Sequence, residues 1–258
     1  MKSFLALFQK EWVVVRGNVF VLLVVGPLLV LGVPYIIDKN VETSMGLNEL
    51  IIMFLFFAIS LGVMATPTQY ITSIRMDVNR KEVWLHSPQS IYCLLGAKAL
   101  FSICMFIIFT FVVFCSGFIM VSAQLEWPIF KAFIASIAMT ISLTGLQLLI
   151  LAYMHVFYIF YLQLKCYIGK LAVVITVPFA IFVGYILTKI EDSAWFRAIV
   201  QHGYISLEPI ENYLQPSNHD VFFYVGSIYL VQLVFYALCI TVLFIVSSKW
   251  LEKVVSQS

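Results

Sequence analysis

Residues 99–125 read ALFSICMFIIFTFVVFCSGFIMVSAQL, a run without a charged residue. A helix needs about 17 to 25 mainly apolar residues to cross the hydrocarbon core of a bilayer, so this run is long enough. Uncharged stretches of similar character occur at residues 17–37, 50–74, 132–164, 171–188 and 221–248. The chain of 258 residues is 62% hydrophobic and 11% charged, whereas soluble domains are about 45–50% apolar and about 25% charged. We therefore predict an all-α, polytopic membrane protein with six transmembrane helices and no formal charge in the uncharged stretches that cross the bilayer.

The six spans are placed at about residues 19–37, 50–74, 91–121, 132–161, 168–188 and 221–248. Six spans put both termini on one side, and eleven basic residues fall on that side against four on the other. Because Lys and Arg are enriched in cytoplasmic loops, both termini are predicted to be cytoplasmic. Trp12, Trp127 and Trp250 lie near span ends, where amphipathic rings prefer the headgroup level.

Residues 1–18 are predicted to form an N-terminal interfacial helix on the cytoplasmic membrane face. The apolar residues recur at three- and four-residue spacing, which is typical of a helix with one apolar face: Phe4, Leu5, Phe8, Trp12 and Val15. The candidate functional residues of this helix are Lys10, Glu11, Trp12 and Arg16.

The segment between the second and third spans, residues 75–90, is charged and amphipathic. It combines five charged residues with Val83, Trp84 and Leu85 within about three helical turns. The predicted helix ends at Ser87-Pro88, because the residue before a proline is disfavoured in the helical region. We predict an exposed cytoplasmic helix that docks on another protein. The alternative is a solvated linker that only carries positive-inside charge.

Residues 190–220 are too polar to cross the bilayer and too apolar to remain in solution. Trp195, Phe196, Ile199 and Val200 lie among charged residues. This mixture predicts a short helix against the outer membrane surface, followed by a loop between Pro209 and Pro216.

Several classes of function are disfavoured by motifs that the sequence lacks. A net charge of +2 does not indicate a nucleic-acid partner. The chain has no His-Glu-x-x-His pair, no Gly-x-Ser-x-Gly setting and no complete phosphate-binding loop, so we predict no catalytic residue, no metal site and no bound cofactor. The five cysteines lie in or beside apolar spans and are interpreted as packing residues rather than disulfides.

His155 is the one ionisable residue that falls within the uncharged stretches at membrane depth. We interpret it as a partner in an interhelical hydrogen bond, with Tyr153, Tyr158 or Gln147 as the second group. The alternative is a role in proton transfer or substrate binding.

The run Arg80-Lys-Glu-Val-Trp-Leu-His-Ser-Pro-Gln-Ser90, followed by Leu94-Leu-Gly-Ala-Lys98, carries a family resemblance. It is similar to the pattern of a charged residue, Leu, any residue, Ser-Pro and then Gly-x-Lys in membrane subunits of bacterial ABC transporters of the ABC-2, or type V exporter, class. These include permeases associated with peptide export or peptide resistance in Gram-positive bacteria. The topology also resembles this class over nearly the whole chain, although the outer domain is shorter than in larger relatives.

The resemblance implies one ABC-2-type transmembrane domain over residues 1–258, in the bacterial cytoplasmic membrane. It implies a second permease subunit, either another copy or a paralogue, and two ABC ATPase subunits that bind ATP and Mg²⁺ in place of this chain. Residues 75–90 would then form the coupling helix, and its ATPase-binding candidates are Asp77, Arg80, Lys81, Glu82, Trp84, Leu85, His86 and Pro88.

ATP-driven export of amphipathic or hydrophobic peptides, or of antimicrobial compounds, is the function that this resemblance implies. The 23 Phe, 13 Tyr and 9 Met residues offer soft apolar surfaces for such substrates. One alternative is a membrane scaffold or immunity protein that binds a toxic peptide without transporting it. Another is an ion-coupled transporter that uses His155.

Overall fold

The computed structural model describes residues 2–41, 46–79, 90–122, 127–215 and 227–257, and these are almost entirely helical. The helical elements in chain order are α1 (Lys2–Pro27), a π-helical turn (Leu28–Gly32), α2 (Val33–Asn40), α3 (Leu47–Asn79), α4 (Ile91–Ser122), α5 (Ile129–Ile168), a 3₁₀ turn (Gly169–Leu171), α6 (Ala172–Asp192), α7 (Ala194–Val200), α8 (Glu208–Leu214) and α9 (Leu230–Gln257). Two short strands, β1 (Tyr204–Ser206) and β2 (Ser227–Tyr229), pair antiparallel.

Within the described residues, five helical stretches are long and apolar enough to cross a membrane: Ala6–Asn40, Leu47–Asn79, Ile91–Ser122, Ile129–Asp192 and Leu230–Val255. The predicted class, an all-α membrane protein, is confirmed. The fourth stretch has 64 residues and contains α5, the 3₁₀ turn and α6. At 1.5 Å per residue a straight helix of that length would be about three times as long as the hydrocarbon core of a bilayer is thick. The 3₁₀ turn therefore decides whether this stretch crosses the membrane once or twice.

One compact unit comprises residues 1–74, 93–148 and 214–223. Within this unit α1 and α4 lie side by side and run parallel. Near the start of α1, Phe8 packs on Phe101 with 5.1 Å between ring centroids. Near the end of α1, Gly26 faces Phe109 and Val113, which lie further along α4. Residues 2–27 therefore form a single helix that follows α4 along its length.

In the same unit α3 runs antiparallel to α4. Gly62 faces the ring of Phe109, and Leu55 packs against Gly117 near the other end of α4. A Cβ atom on Gly62 would overlap the Phe109 ring. The absence of a side chain at Gly62 therefore allows α3 to approach an aromatic residue of α4 closely.

The second compact unit comprises residues 75–92, 149–213 and 224–258. Here the chain reverses between α5 and α6 at Gly169, whose φ of +60° is readily reached by glycine. After the reversal the Tyr153 hydroxyl donates to the Ala180 carbonyl, and Phe160 packs on Phe179 with 5.2 Å between ring centroids. Helices α5 and α6 are thus antiparallel neighbours.

Helix α9 runs parallel to α5 within this second unit. The rings of His155 and Phe244 stack with centroids 5.5 Å apart, and Phe160 lies 6.3 Å from Trp250 further along both helices. At the opposite end of α9, the Tyr236 hydroxyl donates to Glu191 of α6 over 2.8 Å. Helix α6 therefore runs antiparallel to both α5 and α9.

Two boundaries on the predicted cytoplasmic side differ from the sequence-based expectation. The structure has no helix boundary at residue 18, where the interfacial helix was expected to end, because α1 continues without interruption to Pro27. Val15 and Val19 are buried against Phe101 of α4, so the parts of α1 before and after position 18 both pack on the same helix. Helix α3 also continues to Asn79, five residues beyond the predicted end of the second span.

On the predicted outer side, α7 occupies the position of the expected short external helix, with Phe196 and Val200 buried. Residues expected as a loop after Pro209 instead form α8, because proline is tolerated in the first turn of a helix. Residues 227–229 were expected in the sixth span but form β2, whose Tyr229 pairs with Tyr204 of β1. The β-branched and aromatic residues of this segment favour a strand as well as an apolar helix.

Candidate functional site

Two oppositely charged residues are buried together in the first unit. The side-chain Nζ of Lys98 lies 2.5 Å from Oε1 of Glu11, and the two residues are only 2% and 4% exposed. Glu11 reaches this position because Val15 and Val19 follow it at four-residue intervals on the buried face of α1. Both residues lie outside the uncharged stretches 17–37 and 99–125, but the helices that contain them are long and apolar enough to cross a membrane.

Ser73 of α3 completes the cluster. Its hydroxyl donates to Oε2 of Glu11 over 2.5 Å and accepts from Lys98 Nζ over 2.6 Å. Lys98 also donates to the Ser73 carbonyl over 3.4 Å. A serine hydroxyl supplies one donor and two acceptor lone pairs, so these roles are compatible. We call Glu11, Ser73 and Lys98 the ion-pair cluster, and it joins α1, α3 and α4.

Aromatic side chains close one side of the ion-pair cluster. Phe101, one turn after Lys98, is 1% exposed and packs edge-on against Phe8 and Trp12 of α1. Hydrogen bonds to ionised groups are short and stronger than neutral ones, particularly away from water. Because removing one member of a buried ion pair leaves the other charge uncompensated, a single loss costs about 3–5 kcal/mol. The cluster therefore holds three helices in one arrangement.

The ion-pair cluster bonds one side chain from each of three helices. Its carboxylate and ammonium groups already satisfy each other. Among the described residues no group of three His, Cys, Asp or Glu side chains could hold a metal ion. The five cysteines, all within the described ranges, are free thiols, as the sequence predicted.

The ion-pair cluster lies beside the charged segment in the chain. Ser73 is six residues before the end of α3 at Asn79, and Lys98 is seven residues after the start of α4 at Ile91. These two helices flank residues 80–89. The helices on either side of the predicted coupling segment, α3 and α4, are therefore hydrogen-bonded directly to each other.

The structure describes only part of the predicted ATPase-binding surface. Asp77 lies in the last turns of α3 and is partly buried. The remaining candidates fall outside the described residues: Arg80, Lys81, Glu82, Trp84, Leu85, His86 and Pro88. Their contact roles stay predictions.

The four candidates on the N-terminal helix separate into two groups. Lys10, Trp12 and Arg16 are exposed, whereas Glu11 is buried in the ion-pair cluster. The sequence analysis missed the cluster because it took Glu11 only as a candidate residue of an interfacial helix and counted Lys98 among the basic residues at span ends. The sequence did contain a signal for their burial, because each charged residue is followed one helical turn later by an apolar residue. Val15 follows Glu11, and Phe101 follows Lys98.

His155 is 1% exposed and its ring packs on Phe244 of α9. Two of its expected partners bond elsewhere: Tyr153 donates to the Ala180 carbonyl, and Gln147 donates to the Val63 carbonyl over 3.5 Å. The predicted hydrogen bond of His155 to one of these side chains stays a prediction.

No protein family, no curated protein and no protein of known structure matches this chain.

Proposed function

We propose that this chain is the permease subunit of an ATP-driven ABC exporter in the bacterial cytoplasmic membrane. It would pair with a second permease subunit and with two ATPase subunits that bind ATP and Mg²⁺. The observation that supports this proposal most directly is the ion-pair cluster, because Ser73 and Lys98 bond the two helices that flank the charged segment. A force applied at residues 80–89 therefore has a direct route into the membrane-spanning helices.

The proposed mechanism uses this joint to transmit movement. Closure of the ATPase dimer displaces the charged segment at residues 80–89, and α3 and α4, which flank it, move with it. Because Glu11 ties α1 to both helices, the three spans respond as one body. Sliding one helix past the others would separate buried charges, which makes such sliding unfavourable.

The same cluster favours ATP over an ion gradient as the energy source. A coupling ion is normally bound by an ionisable group at membrane depth. Here Glu11 is already neutralised by Lys98 and hydrogen-bonded by Ser73. We infer that energy enters through the ATPase subunits, which leaves this chain without an enzymatic activity of its own.

The relative directions of the helices support six spans. In the first unit α1 and α4 are parallel and α3 is antiparallel to both. Helix α5 begins antiparallel to α4, since Phe111 packs on Phe133 with 5.3 Å between ring centroids, and Phe118 packs on Trp127. Helix α6 reverses again and α9 reverses once more. Counting α5 and α6 as separate crossings is consistent with six spans, for which the basic residues predict that both termini are cytoplasmic.

We infer that the substrate is an amphipathic or hydrophobic peptide. Helix α6 carries large exposed apolar side chains, with Phe182 58% and Tyr185 60% exposed. Aromatic surfaces bind apolar side chains while the tyrosine hydroxyl retains a polar contact. Lipid contacts use the same residue types, so a substrate-dependent ATPase assay is the direct test of this inference.

Co-purification with an ATPase tests the proposed function. The tagged chain is co-expressed with any ATPase that is encoded beside it, solubilised in mild detergent and tested for retained ATPase. We expect Trp84→Ala to lower retention about tenfold and Lys81→Ala to lower it about twofold, because buried aromatic anchors dominate interfaces whereas exposed ion pairs contribute about 0–1 kcal/mol.

The absence of a neighbouring ATPase gene, together with no retained ATPase from the cell, would overturn the proposal and favour the scaffold or immunity protein. Retention with equal or reversed effects of the two substitutions would keep the permease assignment but reject Trp84 as the anchor.

A further inference from the structure

The outward face of α1 carries a shallow groove of about 420 Å³, lined by Trp12, Arg16, Gly17, Val19, Phe20 and Leu23. Trp12 and Phe20 lie one turn before and one turn after Arg16, and they are 45% and 71% exposed. Gly17 leaves the floor of the groove open, since a Cβ atom added there would meet nothing within 4 Å. The groove therefore runs along the helix between two aromatic walls.

A single cation lies at the polar end of this groove. Arg16 is exposed, and no carboxylate of the described residues is found in an ion pair with its guanidinium. Beyond Gly17 the remaining lining residues are apolar. The groove is thus charged at one end, where Arg16 lies beside Trp12, and apolar at the other end, where Phe20 and Leu23 lie.

We propose that this groove binds an anionic phospholipid, with the phosphate on Arg16 and an acyl chain along Gly17, Phe20 and Leu23. A guanidinium binds phosphate oxygens through paired hydrogen bonds. Tryptophan prefers the headgroup level of a membrane, which is where Trp12 would lie beside the phosphate. An acyl chain matches the uncharged remainder of the groove. This proposal depends on the membrane position of α1 and does not rest on the exporter function.

Native mass spectrometry of the full chain tests the proposal. The protein is released from mixed vesicles of phosphatidylglycerol and phosphatidylcholine with matched acyl chains, and the retained lipids are counted. We expect preferential retention of phosphatidylglycerol, which Arg16→Gln reduces about fivefold, since one basic residue near an anionic surface contributes about 1 kcal/mol. Lys165→Gln removes an exposed cation at the end of α5 and is the matched control.

A second substitution tests the acyl channel separately. Gly17→Leu fills the floor of the groove and should lower retention of both lipids, whereas Gly145→Leu adds the same volume at an open position on α5 and should not. Equal retention of the two lipids by the unaltered chain, or unchanged phosphatidylglycerol retention in Arg16→Gln, would overturn the proposal. Displacement of the lipid by inorganic phosphate alone would also overturn it and assign Arg16 to a free anion. Displacement by an amphipathic peptide at equal concentration would reassign the groove to a peptide.

Discussion

We expect replacement of Glu11 or Lys98 alone to destabilise the protein far more than replacement of both residues together. Glu11→Met or Lys98→Met leaves one buried charge without its partner, which should lower the free energy of unfolding by about 3–5 kcal/mol. That loss corresponds to a midpoint roughly 10 °C lower for a chain of this size. The double variant removes both charges and should recover much of the difference. Thermal unfolding in detergent can be followed with a thiol-reactive fluorophore, because the chain has five free cysteines.

Lys165→Met is the matched control at the residue scale, because Lys165 is exposed at the end of α5. Its midpoint should stay within a degree or two of the unaltered protein. A double variant as unstable as the single ones would show that the two charges do not act as a pair.

The sequence around Glu11 and Lys98 contains part of this information. Val15 and Val19 place Glu11 on an apolar helix face, and Phe101 does the same for Lys98. The pairing itself joins residues 87 positions apart. Periodicity within one helix gives the direction of a side chain, but not which other helix lies against it, so the cluster could not be derived from the pattern alone.

At the scale of helical elements, the packing of α3 on α4 depends on Gly62. A Cβ atom there would overlap the Phe109 ring, and Gly26 of α1 already faces the same ring from another helix. Gly62→Ala should therefore lower the free energy of unfolding by about 1–3 kcal/mol, the usual cost of overpacking. Gly96→Ala is the matched control, since its Cβ would meet nothing within 4 Å and alanine favours a helix. The same thermal assay compares the two.

Shortening the aromatic side chain gives an independent check. Phe109→Leu introduced with Gly62→Ala should recover part of the loss, because it removes Cε1 and Cζ, and Cε1 is the ring atom that the new methyl group would meet most closely. Equal midpoints for Gly62→Ala and Gly96→Ala would reject close approach at Gly62 as a determinant of the packing.

Helix cores were more predictable than helix ends. Within the described residues, each helical stretch long enough to cross a membrane overlaps a stretch that hydropathy predicted, because the bilayer requires long apolar runs. Hydropathy did not give the uninterrupted course of α1 through Gly17 and Asn18, nor the strand at residues 227–229, where an apolar stretch was expected to be helical. At both places the outcome depends on packing with residues distant in sequence, on α4 in the first case and on β1 in the second.

At the scale of the whole molecule, the number of crossings depends on the reversal at Gly169. A continuous apolar stretch from Ile129 to Asp192 could be counted as one segment. The contact of Phe160 with Phe179 instead brings its two halves side by side. The proposed six-span arrangement therefore predicts that residues at the reversal share a membrane side with the N-terminus and that residues after α6 lie on the opposite side.

Cysteine labelling tests that statement in intact cells. In a variant without native cysteines, single cysteines are introduced as Lys10→Cys, Lys170→Cys and Arg197→Cys, each at an exposed position. Arg197→Cys should react with a membrane-impermeant maleimide at once, because the proposed arrangement puts the residues after α6 outside the cell. Lys10→Cys and Lys170→Cys should react only after the membrane is opened. If α5 and α6 made a single crossing, Arg197→Cys would share the accessibility of Lys10→Cys, which would reject six spans. If all three positions showed the opposite accessibility, the span count would stand and the orientation derived from the basic residues would be reversed.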